Sequence, residues 1–155
     1  MDLYLVQHGE AVPKESNPNR PLTSAGREKV GKTAAFIAAH AGIEIKRVIH
    51  SGKVRALETA QIFADHLHIV DSVEEGKELN PQSAPWSWVE RLSTTGENLM
   101  IVSHLPFLKR LAALLICQDE TKPCVEFHMG GVVGLRRNES GLWSVIWIVT
   151  PEVLP

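Results

Sequence analysis

Short apolar runs alternate along this chain with longer segments whose apolar residues recur at helical spacing. Strands are predicted at about 2–7, 46–50, 98–103, 131–137 and 142–149, with a weaker one near 69–73. Helices are predicted at about 24–40, 53–67, 85–94 and 106–118. Because strand–helix–strand units build parallel sheets, this order predicts a mostly parallel sheet covered by helices on both faces.

The last two predicted strands break the alternation. Residues 138–141, between these strands, have the Asn, Ser and Gly content of a hairpin turn. The two strands should therefore pair antiparallel and make the sheet mixed. We expect an α/β fold, a three-layer α/β/α sandwich, and a single domain over residues 1–155, a length that buries a sizeable core.

The composition of the chain argues against two classes of partner, nucleic acids and membranes. The formal net charge of −2 argues against a broad basic face for nucleic acid. No apolar stretch is long enough for a membrane span, and the N-terminus lacks a secretory pattern. We expect a cytoplasmic monomer that binds neither nucleic acid nor membrane. Cys117 and Cys124 lack metal-type spacing, so they are predicted to be free, buried thiols in a reducing compartment.

Three predicted strands end in residues that carry chemistry. His8 and Gly9 follow the first strand, Arg55 lies shortly after the second, and His104 follows the third. Ligand crevices form where the carboxyl ends of strands meet in open α/β sheets. Two histidines and an arginine at that edge form a plausible set for handling a phosphoryl group.

Several short motifs surround these residues in a fixed order. They are His8-Gly9 after the opening strand, Arg20-Pro21-Leu22-Thr23, Arg55-Ala56, Ser103-His104-Leu105-Pro106, and a tryptophan-bearing strand before Pro151. Together they resemble the histidine phosphatase superfamily, the phosphoglycerate-mutase-like enzymes, and within it the SixA-type branch of small phosphohistidine phosphatases. The resemblance covers nearly the whole chain. It implies a phosphoglycerate-mutase-like fold and a phosphatase without metal or other cofactor.

The resemblance also implies roles for single residues. His8 matches the nucleophile that forms a phosphohistidine intermediate, Arg55 matches the arginine that clamps the phosphoryl oxygens, and His104 matches the second catalytic histidine. The residues expected to bind phosphate are Gln7, Gly9, Arg20, Arg55 and Leu105.

One position departs from the family pattern. The family opens its motif with Arg-His-Gly, whereas this chain has Gln7 before His8. Glutamine keeps two N–H donors but loses the charge, which costs about 1.5–3 kcal/mol if nothing replaces the contact. Arg20, in a loop expected over the pocket, can replace part of that charge. The departure leaves open a non-catalytic protein that binds phosphate or a phosphoprotein.

The substrate class depends on the leaving group. Larger relatives use a carboxylic acid to protonate an alkoxide, and here Glu58 and Glu78 are available but neither lies in a motif that marks it as that acid. Phosphohistidine releases an imidazole, which is far less basic than an alkoxide. The sequence therefore favours a phosphohistidine-bearing protein, such as a histidine phosphotransfer domain or a phosphocarrier protein. A small phosphate ester remains the alternative.

Other polar and aromatic residues have simpler interpretations. His50 is predicted to be structural or exposed to solvent, and Glu10 to cap backbone groups in its loop. Trp86 and Trp88 lie two residues apart in a predicted helix, so one should pack and the other should face outward.

Overall fold

The structure of the protein, a computed structural model, describes residues 1–69 and 72–155. Within these residues the strands are β1 Asp2–Gln7, β2 Arg47–His50, β3 Val73–Glu75, β4 Leu99–Ser103, β5 Val132–Arg137 and β6 Trp143–Val149. The α-helices are α1 Ser24–His40, α2 Val54–His66, α3 Trp86–Thr94 and α4 Phe107–Cys117, and one turn of 3-10 helix covers Pro151–Val153. The predicted elements are confirmed to within a residue or so. The exception is β3, which begins at the last residue of the predicted 69–73 and extends two residues beyond it. Residues 70 and 71 lie outside the described residues.

The strands form one sheet in the order β3-β2-β4-β1-β5-β6. The first four in this order run parallel to their neighbours, whereas β5 pairs antiparallel with both β1 and β6. The hairpin between β5 and β6 turns at Gly141, whose φ of 82° favours glycine. The mixed sheet and its helices confirm the predicted α/β class.

Each face of the sheet is covered by one pair of helices. Along β1, Leu3 and Leu5 belong to a core shared with α3 and α4, whereas Tyr4 and Val6 belong to a core shared with α1 and α2. This alternation follows from the two-residue period of a strand. Because both faces are buried, the central strands are apolar runs, and polar residues with chemical roles are confined to strand ends.

The loop after β1 is pressed against α1. A Cβ on Gly9 would lie 2.6 Å from Val30 Cγ2, and a Cβ on Gly26 would lie 2.3 Å from the carbonyl oxygen of Glu10. Thr23 caps α1 by accepting a hydrogen bond from the Gly26 amide, and its hydroxyl donates to the Glu10 carboxylate. Glu10 is thus a loop carboxylate as predicted, but its carboxylate accepts from a side-chain hydroxyl and not from the backbone groups that were expected. These contacts fix the direction in which the chain leaves β1.

The structure corrects the prediction for the cysteines. Cys117 and Cys124 are free but exposed, because Cys117 ends α4 outside its apolar stripe and Cys124 lies in the following loop. The prediction for the tryptophans is confirmed, since Trp88 is buried and Trp86 is 58% exposed. Among the described residues, no helix combines the length and apolarity that a membrane span requires.

Candidate active site

The carboxyl ends of β1, β4 and β2 lie side by side. Gln7 of β1 is in register with Ser103 of β4, so the residues that follow these two strands, His8 and His104, are neighbours. Their ring centroids lie 4.8 Å apart, and the His8 amide donates to the Ser103 carbonyl at 3.1 Å. The sheet thus brings together two histidines that are far apart in the sequence.

The hydrogen bonds of His8 leave a lone pair on one ring nitrogen. Nδ1 donates to the Gly9 carbonyl at 2.7 Å, and Nε2 accepts from Arg55 Nε at 3.2 Å. Desolvation by burial, aided by the charges of Arg55 and Arg20, lowers the pKa of His8 to about 4. The ring is therefore neutral at neutral pH, and Nε2 has the electron pair that a nucleophile needs.

The first turn of α2 positions Arg55. Four residues further along the same helix face, Thr59 donates to the Arg55 carbonyl at 2.7 Å and accepts from the Gly9 amide at 3.1 Å. One threonine thus ties the loop that follows β1 to the turn that holds Arg55. The sequence analysis missed Thr59, although its spacing of four from Arg55 was a usable signal.

The second histidine is almost completely buried. His104 is 2% exposed, its Nε2 lies 2.5 Å from Ser51 Oγ, and its Nδ1 has no hydrogen-bond partner among the described residues. Burial, followed by the charges of His8, Arg55, Lys53 and Arg20, lowers its pKa to about 3. An anion at this position would counter those positive charges and favour a proton on His104.

Ser51 is the second residue that the sequence analysis missed. It directly follows β2, which pairs with β4, and it is buried against His104. The strand-end rule that selected His8 and His104 applies equally to Ser51. A serine hydroxyl is a weak signal in a sequence because it so often serves loops and helix caps.

Arg20 lies in the loop over this edge, as predicted. Its Nε donates to the Val12 carbonyl at 3.2 Å, and its charge contributes to the lowered pKa values of His8, Arg55 and His104. Lys53, just before α2, acts on His104 in the same way. The edge therefore combines neutral histidines with several cations.

Three other residues expected to bind phosphate lie next to the histidines. Gln7 precedes His8 and is 9% exposed, and its Oε1 has no hydrogen-bond partner among the described residues. Leu105 follows His104 and is partly buried against the core. Gly9, the third such residue, has its amide engaged by Thr59, and its lack of a Cβ is required for packing on α1.

The two candidate acids have other partners. Glu58 accepts from the Leu22 amide at 2.7 Å and pairs with Arg27, which holds the entry to α1. Glu78 pairs with Arg91 at 3.6 Å. Over residues 1–69 and 72–155, neither carboxylate hydrogen-bonds to His8 or His104.

His50 is structural, as predicted. It is buried at the end of β2, and its Nδ1 accepts from the Gly52 amide at 3.1 Å. No cluster of three or more His, Cys, Asp or Glu side chains suited to a metal ion occurs in the part of the chain that the structure describes.

This arrangement suits transfer of a tetrahedral oxyanion. A neutral imidazole supplies the electron pair, a planar guanidinium 3.2 Å away can bind two oxygens, and a second histidine lies beside the first. Phosphoryl transfer depends mainly on such positioning and on neutralising the oxygens of the transferred group.

This chain resembles known proteins in both sequence and fold. The family model for the histidine phosphatase superfamily (branch 1) matches residues 3–83. Phosphohistidine phosphatase SixA of Escherichia coli (strain K12) is 29% identical over 156 residues, 97% of this chain and 94% of that protein. The structure of the protein histidine phosphatase SixA complexed with tungstate has a TM-score of 0.84 at 26% identity, covering 97% of each chain.

A more distant relative matches only in part. The mitochondrial serine/threonine-protein phosphatase PGAM5 of Homo sapiens is 29% identical over 92 residues, 56% of this chain and 32% of that protein. These relatives are phosphatases, and the family model spans just over half of the chain. This chain therefore belongs to the histidine phosphatase superfamily.

Proposed function

We propose that this protein is a phosphohistidine phosphatase that acts through a covalent phosphohistidine intermediate on His8. One observation carries the proposal: the Nδ1 proton of His8 is held by the Gly9 carbonyl, which leaves the Nε2 lone pair 3.2 Å from Arg55 Nε. The near full-length relative SixA is named for this activity, which supports the choice of substrate class.

In the first step, His8 Nε2 attacks phosphorus in line with the bond that breaks. Arg55 exchanges its contact with Nε2 for contacts with phosphoryl oxygens, which keeps its charge beside the transferred group. The Gly9 carbonyl accepts a hydrogen bond from Nδ1–H throughout, so it stabilises the positive charge that develops on the ring.

In the second step, water attacks the phosphorus of phospho-His8. The electron pair of the N–P bond returns to His8 Nε2, and the protons of water stay with the released phosphate. His104 takes a proton from solvent as the anion binds, donates a hydrogen bond to a phosphoryl oxygen, and returns that proton to solvent when phosphate leaves. Ser51 holds the ring of His104 in place through its contact with Nε2.

The remaining phosphate contacts complete the proposed site. Arg20, Gln7, Gly9 and Leu105 join Arg55 around the phosphoryl group, with the side chain of Gln7 in the place of the family arginine. Tungstate, bound in the solved SixA structure, is a tetrahedral oxyanion like phosphate, which supports an anion-binding role for this fold.

The leaving group selects the substrate. No carboxylic acid hydrogen-bonds to either histidine among the described residues, and an alkoxide leaving group would need such an acid in position to protonate it. An imidazole leaves without such help. The proposed partner is a phosphohistidine-bearing protein, a histidine phosphotransfer domain or phosphocarrier protein, dephosphorylated by a single domain over residues 1–155.

The test is to trap the intermediate on His8. Wild-type protein, His8→Ala and His66→Ala, a control at an exposed histidine of α2, are mixed with ³²P-labelled 1-phosphoimidazole and quenched in alkali. Wild type and control should carry an acid-labile label, and His8→Ala should carry none and release no phosphate. Turnover within tenfold of wild type in His8→Ala would contradict the assignment.

Gln7 favours one other function, a module that binds phosphate without turnover. The amide lacks the charge of the family arginine, whereas His8, Arg55 and His104 are intact. A wild type that binds phosphate in the micromolar range, yet hydrolyses neither 1-phosphoimidazole nor an aryl phosphate, would establish that alternative. Turnover of the aryl phosphate alone would establish a small-molecule phosphomonoesterase.

A further inference from the structure

A cavity of about 320 Å³ lies at the edge of the sheet where β1 ends. Two of its lining residues, Gln7 and Leu105, are the chain neighbours of His8 and His104. The segment just before β5 supplies further lining, and the Gly130 amide in that segment donates to the Gln7 carbonyl at 2.9 Å. The cavity therefore shares two residues, Gln7 and Leu105, with the proposed phosphate site, but the proposed mechanism does not use the cavity itself.

One of the lining residues has an unused acceptor. Gln7 is 9% exposed, and its side-chain Oε1 is buried without a hydrogen-bond partner among the described residues. Burial of a carbonyl without a hydrogen-bond partner is unfavourable, so a ligand that donates a hydrogen bond to this oxygen would be stabilised. No hydrogen bond among those residues holds Oε1, and rotation of the amide about its last side-chain bond would turn this oxygen toward a donor that enters the cavity.

The rest of the lining suits a flat, positively charged ring. Leu105, Phe127 and Met129 provide apolar and aromatic surface, and Glu10 and Glu152 provide carboxylates. Lys29 also lines the cavity, and His128 Nδ1 lies 3.5 Å from Glu152 Oε2. Two carboxylates and one lysine thus line the cavity, in contrast to the cationic edge around Arg55.

We propose that this cavity holds the leaving group of the substrate, and that Gln7 Oε1 accepts a hydrogen bond from the N–H of the departing imidazole. This inference rests on the proposed function and assigns a specificity-determining residue to it. The substrate then spans two environments, with its phosphoryl group at the arginines and its ring between the apolar wall and the carboxylates.

Transfer of the phosphoryl group from the substrate ring to His8 needs no reactant other than the substrate. The phosphorylated imidazole ring binds with a proton on its non-phosphorylated nitrogen, and Gln7 Oε1 accepts a hydrogen bond from that N–H. His8 Nε2 forms a bond to phosphorus as the substrate's N–P bond breaks, and the electron pair of that bond stays on the leaving nitrogen. The ring departs as neutral imidazole, still carrying the proton that faces Gln7.

The proposal gives Gln7 two tasks that an arginine could not combine. Its NH₂ group donates to a phosphoryl oxygen, as an arginine would, whereas its carbonyl accepts from the leaving group. An arginine has no acceptor and would place a cation beside a protonated ring. Glutamine at this position therefore favours phosphohistidine over phosphate esters.

The test compares two substrates that differ in the leaving group. We measure kcat/KM for 1-phosphoimidazole and for p-nitrophenyl phosphate with wild type, Gln7→Arg, Gln7→Met and the control Gln61→Met on the exposed face of α2. The ratio of the two values should fall about tenfold to hundredfold in both Gln7 variants, as expected for loss of a charge-assisted hydrogen bond. It should stay at the wild-type value in Gln61→Met.

The outcomes separate this inference from the proposed function. A wild type that hydrolyses neither substrate would contradict the proposed function, whereas an active wild type with an unchanged ratio in both Gln7 variants would overturn the leaving-group site. If the Gln7 variants do not fold, the same ratio is measured for Met129→Lys and Met129→Gln. These variants should fold, because Met129 is 49% exposed. Only the lysine, a cation at the cavity, should lower the ratio, and equal ratios would overturn the inference.

Discussion

Lowering the pH from 7 to 5 should destabilise this protein through the two histidines of the site. Their pKa values are about 4 for His8 and about 3 for His104, against 6.5 for an ordinary histidine. At pH 5 the unfolded chain binds a proton at each ring and the folded protein does not. Stability is therefore complete above the unfolded pKa and is lost as the pH falls through it.

The magnitude follows from proton linkage. At pH 5, protonation of each histidine favours the unfolded state by about 2 kcal/mol. In the unfolded chain the pKa of the ring lies 1.5 units above this pH, whereas in the folded protein it lies below this pH. The two histidines together should therefore lower the free energy of unfolding by about 4 kcal/mol between pH 7 and pH 5, which is a large part of the stability of an ordinary domain. Little further loss from these groups is expected below the folded pKa values.

Urea unfolding at pH 7 and pH 5 measures the effect. His8→Gln and His104→Gln should each reduce the pH-dependent loss by about 2 kcal/mol, because each removes one linked proton. His66→Gln, at an exposed position in the last turn of α2, is the control for other titrating groups. If both site variants lost as much stability as wild type over this range, the two rings would not be buried neutral bases.

Three further predictions concern the site and its support. Arg55→Lys should lower kcat/KM for 1-phosphoimidazole about tenfold to hundredfold, because lysine cannot make two parallel contacts; unchanged kinetics would rule out the clamp. Gly9→Ala should lower the free energy of unfolding by about 1–3 kcal/mol, because the new Cβ would lie 2.6 Å from Val30 Cγ2, and Val30→Ala should recover part of the loss in the same urea assay. EDTA should leave phosphate release unchanged because Arg55 and the nearby cations supply the positive charge, and recovery of a chelated enzyme by a divalent ion would contradict this.

The order of the elements is determined by the sequence alone. Periods of two and of 3.6 residues are local properties of a chain, so the strands and helices could be predicted to within a residue or so. His8 and His104 could also be predicted to lie at the same edge of the sheet, because the carboxyl ends of parallel strands meet there. Residues 69–73 were harder to interpret, since a strand as short as β3 contains too few residues to show a period.

Contacts between distant side chains were decided by the tertiary structure. The pairing of Ser51 with His104, the link from Thr59 to Gly9, and the exposure of the cysteines depend on how helices pack on the sheet. The same holds for the lowered histidine pKa values, because burial, their largest cause, exists only after the layers have closed. A sequence can place a residue at a strand end, but the atom that the residue contacts depends on packing between elements far apart in the chain.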